Sequence, residues 1–170
     1  MIISRGEFRK MLLIIECIII CFMMWFVCFL LTGTDEKNII GLRSYPLEIQ
    51  KMIRNNEKYK NKVKQTNMIK VFIMNVIMFV IVLFIFGIFI KSNDFKTNFI
   101  NIFILGEVLN LFDLVVIDLL WWRNTKRIRF KDIPEKEIYQ NPKQHIDSFL
   151  RGIIMYLLVA IIDGIILTII

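Results

Sequence analysis

Apolar residues along this chain gather into four blocks, separated by stretches dense in Lys, Asn and Glu. The blocks run from about residue 11 to 31, 71 to 90, 98 to 122 and 152 to 170. A helix needs about 20 residues to cross ~30 Å of hydrocarbon, so each block predicts one spanning helix. In lipid only helices and closed barrels satisfy their own backbone N–H and C=O groups, and barrel strands are shorter and alternate apolar with polar, which these blocks do not. The expected fold is therefore an all-α membrane protein, a single transmembrane domain over residues 1–170. It is expected to form a bundle of four transmembrane helices with two basic cytoplasmic connections, 32–70 and 123–151.

Composition agrees with this reading: 56% of the 170 residues are hydrophobic, above the level of an ordinary soluble domain. The first block follows Arg5, Arg9 and Lys10, as a signal peptide would. Its apolar stretch is longer than a signal-peptide core, and Leu31-Thr32-Gly33-Thr34 is a poor cleavage site, so it is read as a helix.

In a soluble protein a formal charge of +7 would suggest nucleic acid, but here its distribution reads as topology and no nucleic-acid partner is expected. The two long connections hold seventeen Lys and Arg, nine in the first and eight in the second, against five elsewhere. The positive-inside rule then places both connections in the cytoplasm and both termini outside, in a plasma-membrane setting. The flanks of the first helix alone pull the other way, with three basic residues before it and Asp35 and Glu36 after it.

Ser44-Tyr45-Pro46-Leu47 predicts a helix start and a short surface helix over about Leu47 to Val63. The lysines at 58, 60, 62 and 64 would ring that helix, and a cluster of this kind makes anionic headgroups a candidate partner besides the bilayer itself. Trp121 and Trp122 close the third block as interface anchors. Asn141-Pro142-Lys143-Gln144 predicts a capped helix start from which the last helix runs to Ile170. On a 100° wheel Ser148, Gly152, Tyr156 and Asp163 all fall within about 60° of His145. Such a polar and small stripe suits a helix-packing face, with Ala160 outside it.

Candidate chemistry rests on the carboxyl groups Glu16, Glu107, Asp113, Asp118 and Asp163, all inside apolar blocks that hold no deep Lys or Arg. An acid within hydrocarbon is costly and usually faces an interior, where it needs a proton, a cation or a hydrogen-bond partner. The five are candidates for an ion or proton site, or for polar contacts between helices. Glu107 and Asp118, eleven residues apart, project within about 20° of each other on an α-helix. Glu16 could meet Glu107 or Asp163, or reach toward the outer surface.

Cys17, Cys21, Cys28 and Met24 share one face of the first helix, but at ordinary packing spacing and without C-x-x-C, so neither a metal nor another cofactor is expected. His145 is the single histidine, within reach of Asp118 or Asp132. No catalytic motif accompanies it, which makes an enzyme at the cytoplasmic interface the third reading. Four spans with a glutamate in the first resemble the small multidrug-resistance exporters. The long basic connections, the extra acids of the third span and the greater length depart from that pattern, and no family follows from it. The leading expectation is an accessory or membrane-embedded subunit of a transport or envelope complex, associating with other membrane subunits or with itself. The alternative is a small proton- or cation-coupled transporter using the intramembrane acids.

Overall fold

The computed structural model describes residues 5–65 and 67–170. It is 77% helix and contains no strand among the described residues, which decides for helices over a barrel. The helices are α1 (Arg5–Leu30), α2 (Asp35–Ile40), α3 (Leu47–Asn55), α4 (Met68–Ile90), α5 (Phe95–Phe112, continued as a π-helix over Asp113–Trp122) and α6 (Lys143–Ile169). Four helical stretches are long and apolar enough to cross a membrane: Gly6–Leu30, Met68–Ile90, Phe95–Trp122 and Glu137–Ile169. The outer two outrun the predicted blocks because Arg9, Lys10 and the polar residues after Pro142 continue a helix as readily as apolar residues do.

Side chains stop and start these helices where the backbone leaves N–H groups unpaired. Asn67 Oδ1 accepts from Ile69 N (2.9 Å) and Lys70 N (3.4 Å), and an Asp94 carboxylate oxygen accepts from Thr97 N (2.8 Å). Asn141 Oδ1 accepts from Lys143 N at 3.0 Å, so the predicted Asn serves the start of α6, although the first helical residue is Lys143 and not Pro142.

α5 packs along α6, α4 lies against both, and α1 runs beside α5 and α4. Leu83, Ile102, Leu105, Leu109, Val159 and Ala160 fill the centre. Close approach of α5 and α6 depends on two glycines. A Cβ on Gly106 would sit 2.6 Å from the Tyr156 ring, and one on Gly152 would strike the Asn110 amide. The packing face is thus the predicted stripe at Gly152, Tyr156 and Asp163, with two corrections. Ser148 is exposed, because no helix covers its flank of α6 at that depth, and Ala160 is fully buried, because α6 is embraced on more than one side.

A third correction is larger. The two long connections are not separate surface segments but fold against each other around a core of their own. The expected helix over 47–63 ends at Asn55, and its Ile49 and Ile53 are wholly buried while Leu47 and Met52 stay exposed. Residues 58–64 form only one 3-10 turn, Lys60–Lys62, because Tyr59 is drawn inward and breaks the helical course. Ile128, Phe130, Ile133 and Tyr139 come from the other connection to meet them.

Candidate functional site

The described residues that bring titratable groups together lie where α5 and α6 enter the connection core. From Asp113 onward α5 winds as a π-helix, with hydrogen bonds reaching i→i+5, seen at its end where Arg123 N donates to Asp118 O (3.4 Å). Asp118 Oδ2 lies 2.9 Å from His145 Nδ1. The imidazole is 2% exposed and is covered edge-on by Trp122, whose ring centroid is 4.8 Å away. Tyr45 closes on the same indole at 4.8 Å. His145 Nε2 is buried with no hydrogen-bond partner. Asp113 lies within electrostatic reach of Asp118, and both face Cys28 of α1. A carboxylate–imidazole pair with a second acid beside it can hold a proton and pass it between groups, the chemistry for which histidine is suited near neutral pH.

Of the predicted acids, only Asp113 and Asp118 come together. Glu107 belongs elsewhere: its Oε2 accepts from Asn110 Nδ2 (3.4 Å), which also donates to the Phe149 carbonyl (3.2 Å). Glu107 and Asp118 both lie toward α6, through Asn110 and Phe149 in one case and His145 in the other, but no contact joins them, and from Asp113 the π-helix departs from the 100° spacing on which the shared face was expected. Glu16 is 4% exposed and does not reach outward, and neither Glu107 nor Asp163 hydrogen-bonds it. Asp163 is fully buried on α6, and both its carboxyl oxygens lack partners. Trp121 packs between Trp25 and Phe29 of α1 (6.3 and 6.4 Å), but Trp122 is no headgroup anchor: at 6% exposure it is the roof of the His145 site. The cysteines are free, and among the described residues no three metal-ligating side chains converge.

Two shallow surface hollows are lined by other residues. One of about 290 Å³ runs along the start of α4 (Asn67 to Met74), and one of about 100 Å³ separates Pro46–Glu48 from Asn141–Gln144.

Sequence reasoning missed the clasp between the connections. Asp35 Oδ2 accepts from the Tyr59 hydroxyl (2.6 Å) and Asp35 Oδ1 from Lys131 N (3.2 Å). The Tyr45 hydroxyl donates to Ile128 O (2.8 Å), and the Tyr139 hydroxyl donates to Ile133 O (2.8 Å) while accepting from Phe130 N (3.1 Å). Burial, then the hydrogen bond to Asp35, pushes the Tyr59 phenol up to about 12; burial also holds Tyr45 well above its ordinary value. Arg127 seals the end of α1: its Nη2 donates to Phe29 O and Thr32 O (both 3.0 Å), and its guanidinium stacks 3.9 Å from the Phe29 ring. A cation there meets the negative end of the helix dipole. Gly33, at φ +109°, provides the turn and leaves the space that Arg127 occupies. The only sequence signal for this cap is a Thr-Gly-Thr exit, which names no partner.

The lysine cluster is partly neutralised. Lys58 pairs with Asp132 (3.2 Å) and lies 3.8 Å from Asp35, Lys60 pairs with Glu57 (3.8 Å), and Lys62 with Glu36 (3.5 Å). Lys58 in turn holds the Asp132 carboxyl below the usual range, through a direct hydrogen bond. Arg43 differs: burial, then the nearby Arg151 guanidinium, lowers its pKa.

Neither a family model nor a curated protein nor a solved structure matches this chain.

Proposed function

We propose that this protein is a small multi-pass subunit of the plasma membrane that acts by association. In this reading the four helices form a bundle, the two basic connections lie in the cytoplasm, and both termini lie outside. The observation that carries it is the second hydrophobic core, in which residues 35–59 and 122–139 are packed and hydrogen-bonded into one ordered unit at one end of the helices. A chain with few residues outside the membrane uses them to hold a defined surface, as an element that docks to something would. The test is a mild-detergent pull-down of the full chain and of Tyr59→Ala, which removes the clasp on Asp35 and leaves the spans alone. Partners, or a second copy, held by the wild type and lost by the variant are expected; equal recovery refutes the reading. Reporters after Ile170 and labelled cysteines at Lys60 and Lys131 read the topology, with Lys60 and Lys131 accessible only after permeabilisation.

A second reading, proton or cation handling, is favoured by one observation: Asp118 on a π-helical segment, a form that often marks functional sites, lies 2.9 Å from His145 of α6. His145→Gln keeps a hydrogen-bonding side chain and removes the titrating one. Loss of a pH-dependent response in that variant with the fold intact supports this reading, and an unchanged response removes it.

A further inference from the structure

Inside the four apolar blocks every described polar side chain is buried or half-buried, with one exception. Glu16, Asn98, Asn110 and Asp163 are buried, whereas Asn75 of α4 is exposed. Its amide has no hydrogen-bond partner among the described residues. Asn75 lies five residues past Lys70, the last cation before the apolar run, and that rise of about 7.5 Å is too long for its short side chain to span back toward the headgroups. An amide turned to hydrocarbon leaves two N–H groups and a carbonyl with neither water nor protein, and membrane helices meet that need by bonding across to another helix. The amide also sits in register with its neighbours. Val71, Asn75, Met78, Val82, Ile85 and Phe89 follow the alternating spacing of four and three that lays one continuous seam along a helix. Met78, Ile85 and Phe89 are 47%, 53% and 66% exposed, and Val71 and Val82 are half-buried, so the other three spans leave this seam open. In a two-stranded coil a single Asn at such a position fixes register and strand number.

We propose that α4 pairs with α4 of a second copy of this chain along this seam, with the two Asn75 amides hydrogen-bonded to each other. Copies inserted the same way are related by a two-fold axis along the membrane normal, which sets each seam residue opposite its own counterpart at the same depth. An amide both donates and accepts, so Asn75 is its own complement, as a lysine or an ionised carboxylate is not. A second copy therefore brings the missing partner by symmetry alone, whereas a foreign helix needs a polar group at that depth. The inference rests on the membrane-spanning fold, and it leaves the connection unit free to hold a different chain.

The experiment measures resonance energy transfer between donor- and acceptor-labelled full chains diluted in phosphatidylcholine bilayers. The wild type should pass from dimer to monomer on dilution; transfer no greater than random proximity gives at every protein-to-lipid ratio overturns the proposal. Asn75→Leu should raise the dissociation constant about tenfold, and Asn75→Gln, which keeps an amide, should stay within about threefold of the wild type. Met78→Ala on the seam should weaken pairing, whereas Ile77→Ala, which lies off it, should not. A Leu variant that pairs as tightly as the wild type overturns the amide contact. Because Asn75 is exposed, Asn75→Leu and the wild type should melt alike when both are monomeric; a lower melting temperature in the variant shows that the amide serves the fold of one chain and contradicts the proposal. Tyr59→Ala should keep the second copy while losing other partners, so this inference and the association reading fail separately. A chain that does not pair with itself but holds a different membrane protein, lost in Asn75→Leu, overturns the second copy in favour of a foreign helix.

Discussion

The two cores of this molecule treat buried side-chain oxygens in opposite ways. In the connection unit the buried hydroxyls of Tyr45, Tyr59 and Tyr139 all find acceptors, and the Asn38 amide donates to Arg127 O (3.0 Å). Among the spans, Glu16 and Asp163 keep both carboxyl oxygens buried without partners, and Glu107 keeps one. An unpaired polar group away from water costs on the order of 1–3 kcal/mol, more for a charged one. The connection unit therefore pairs its buried hydroxyl and carboxyl oxygens, although Arg43 Nη1 and the Nε atoms of Arg123, Arg127 and Arg129 lack partners, whereas the spans retain acids that stability alone would remove. Removing a polar atom should act with opposite sign in the two regions.

The largest effect is expected for Tyr45→Ala, which empties a core position touching Trp122, Phe130 and Tyr139. Loss of about 3–5 kcal/mol in that unit should appear as rapid proteolysis within residues 35–65 and 123–140 while the helical circular dichroism of the spans persists. If the whole chain unfolds together, the two cores are one cooperative unit and the contrast collapses. Next in size, Gly152→Leu should cost about 1–3 kcal/mol by pushing Asn110 off α6, and Ala160→Leu, fully buried, should cost a similar amount; detergent melting measures both. Equal tolerance of both would show that α5 and α6 separate freely.

The sign test comes third. Tyr45→Phe strands the Ile128 carbonyl and should destabilise by about 1 kcal/mol, whereas Asp163→Leu removes two orphan oxygens and should stabilise by a similar amount. Destabilisation by Asp163→Leu would mean that the acid has a partner or ligand that matters to the fold. Asp163→Asn, Glu107→Gln and Asp118→Asn then separate polar contact from a titrating role, because the amide keeps shape and loses the charge. The smallest effect is alkaline. Burial raises the Tyr59 phenol, so its contribution is full below the unfolded value near 10 and is lost as pH climbs through about 12; burial shifts the Tyr45 phenol in the same direction. Tyrosinate absorbance should rise together with protease sensitivity of the connections; titration at ordinary tyrosine pH with the unit still folded would contradict the buried clasp.

Much of the membrane half was legible beforehand because its physics is local. A run such as Val71–Ile90 must be helical in lipid whatever surrounds it, and the small and polar positions Gly152, Tyr156 and Asp163 mark the inward side by spacing alone. The candidate site was only half legible. His145 was legible as lying within reach of Asp118 or Asp132, and only the structure selects Asp118; that Glu107 bonds Asn110 and not a second acid was not legible, because a uniform 100° wheel has no means of showing that the helix widens at Asp113. Trp122 read as an interface anchor for the same reason: its type and position fit, and only its neighbours show that it covers a histidine.

What the sequence by itself determined, then, is the set of four apolar helices and which of their residues are too polar to face lipid, since hydrocarbon makes backbone satisfaction a matter within each segment. What only the tertiary structure decided is which distant groups meet. Asp35 with Lys131, Tyr45 with Ile128, and Arg127 with the end of α1 are pairings in water-exposed chain, where every polar group has solvent as an alternative partner and only the shape of the second core selects one.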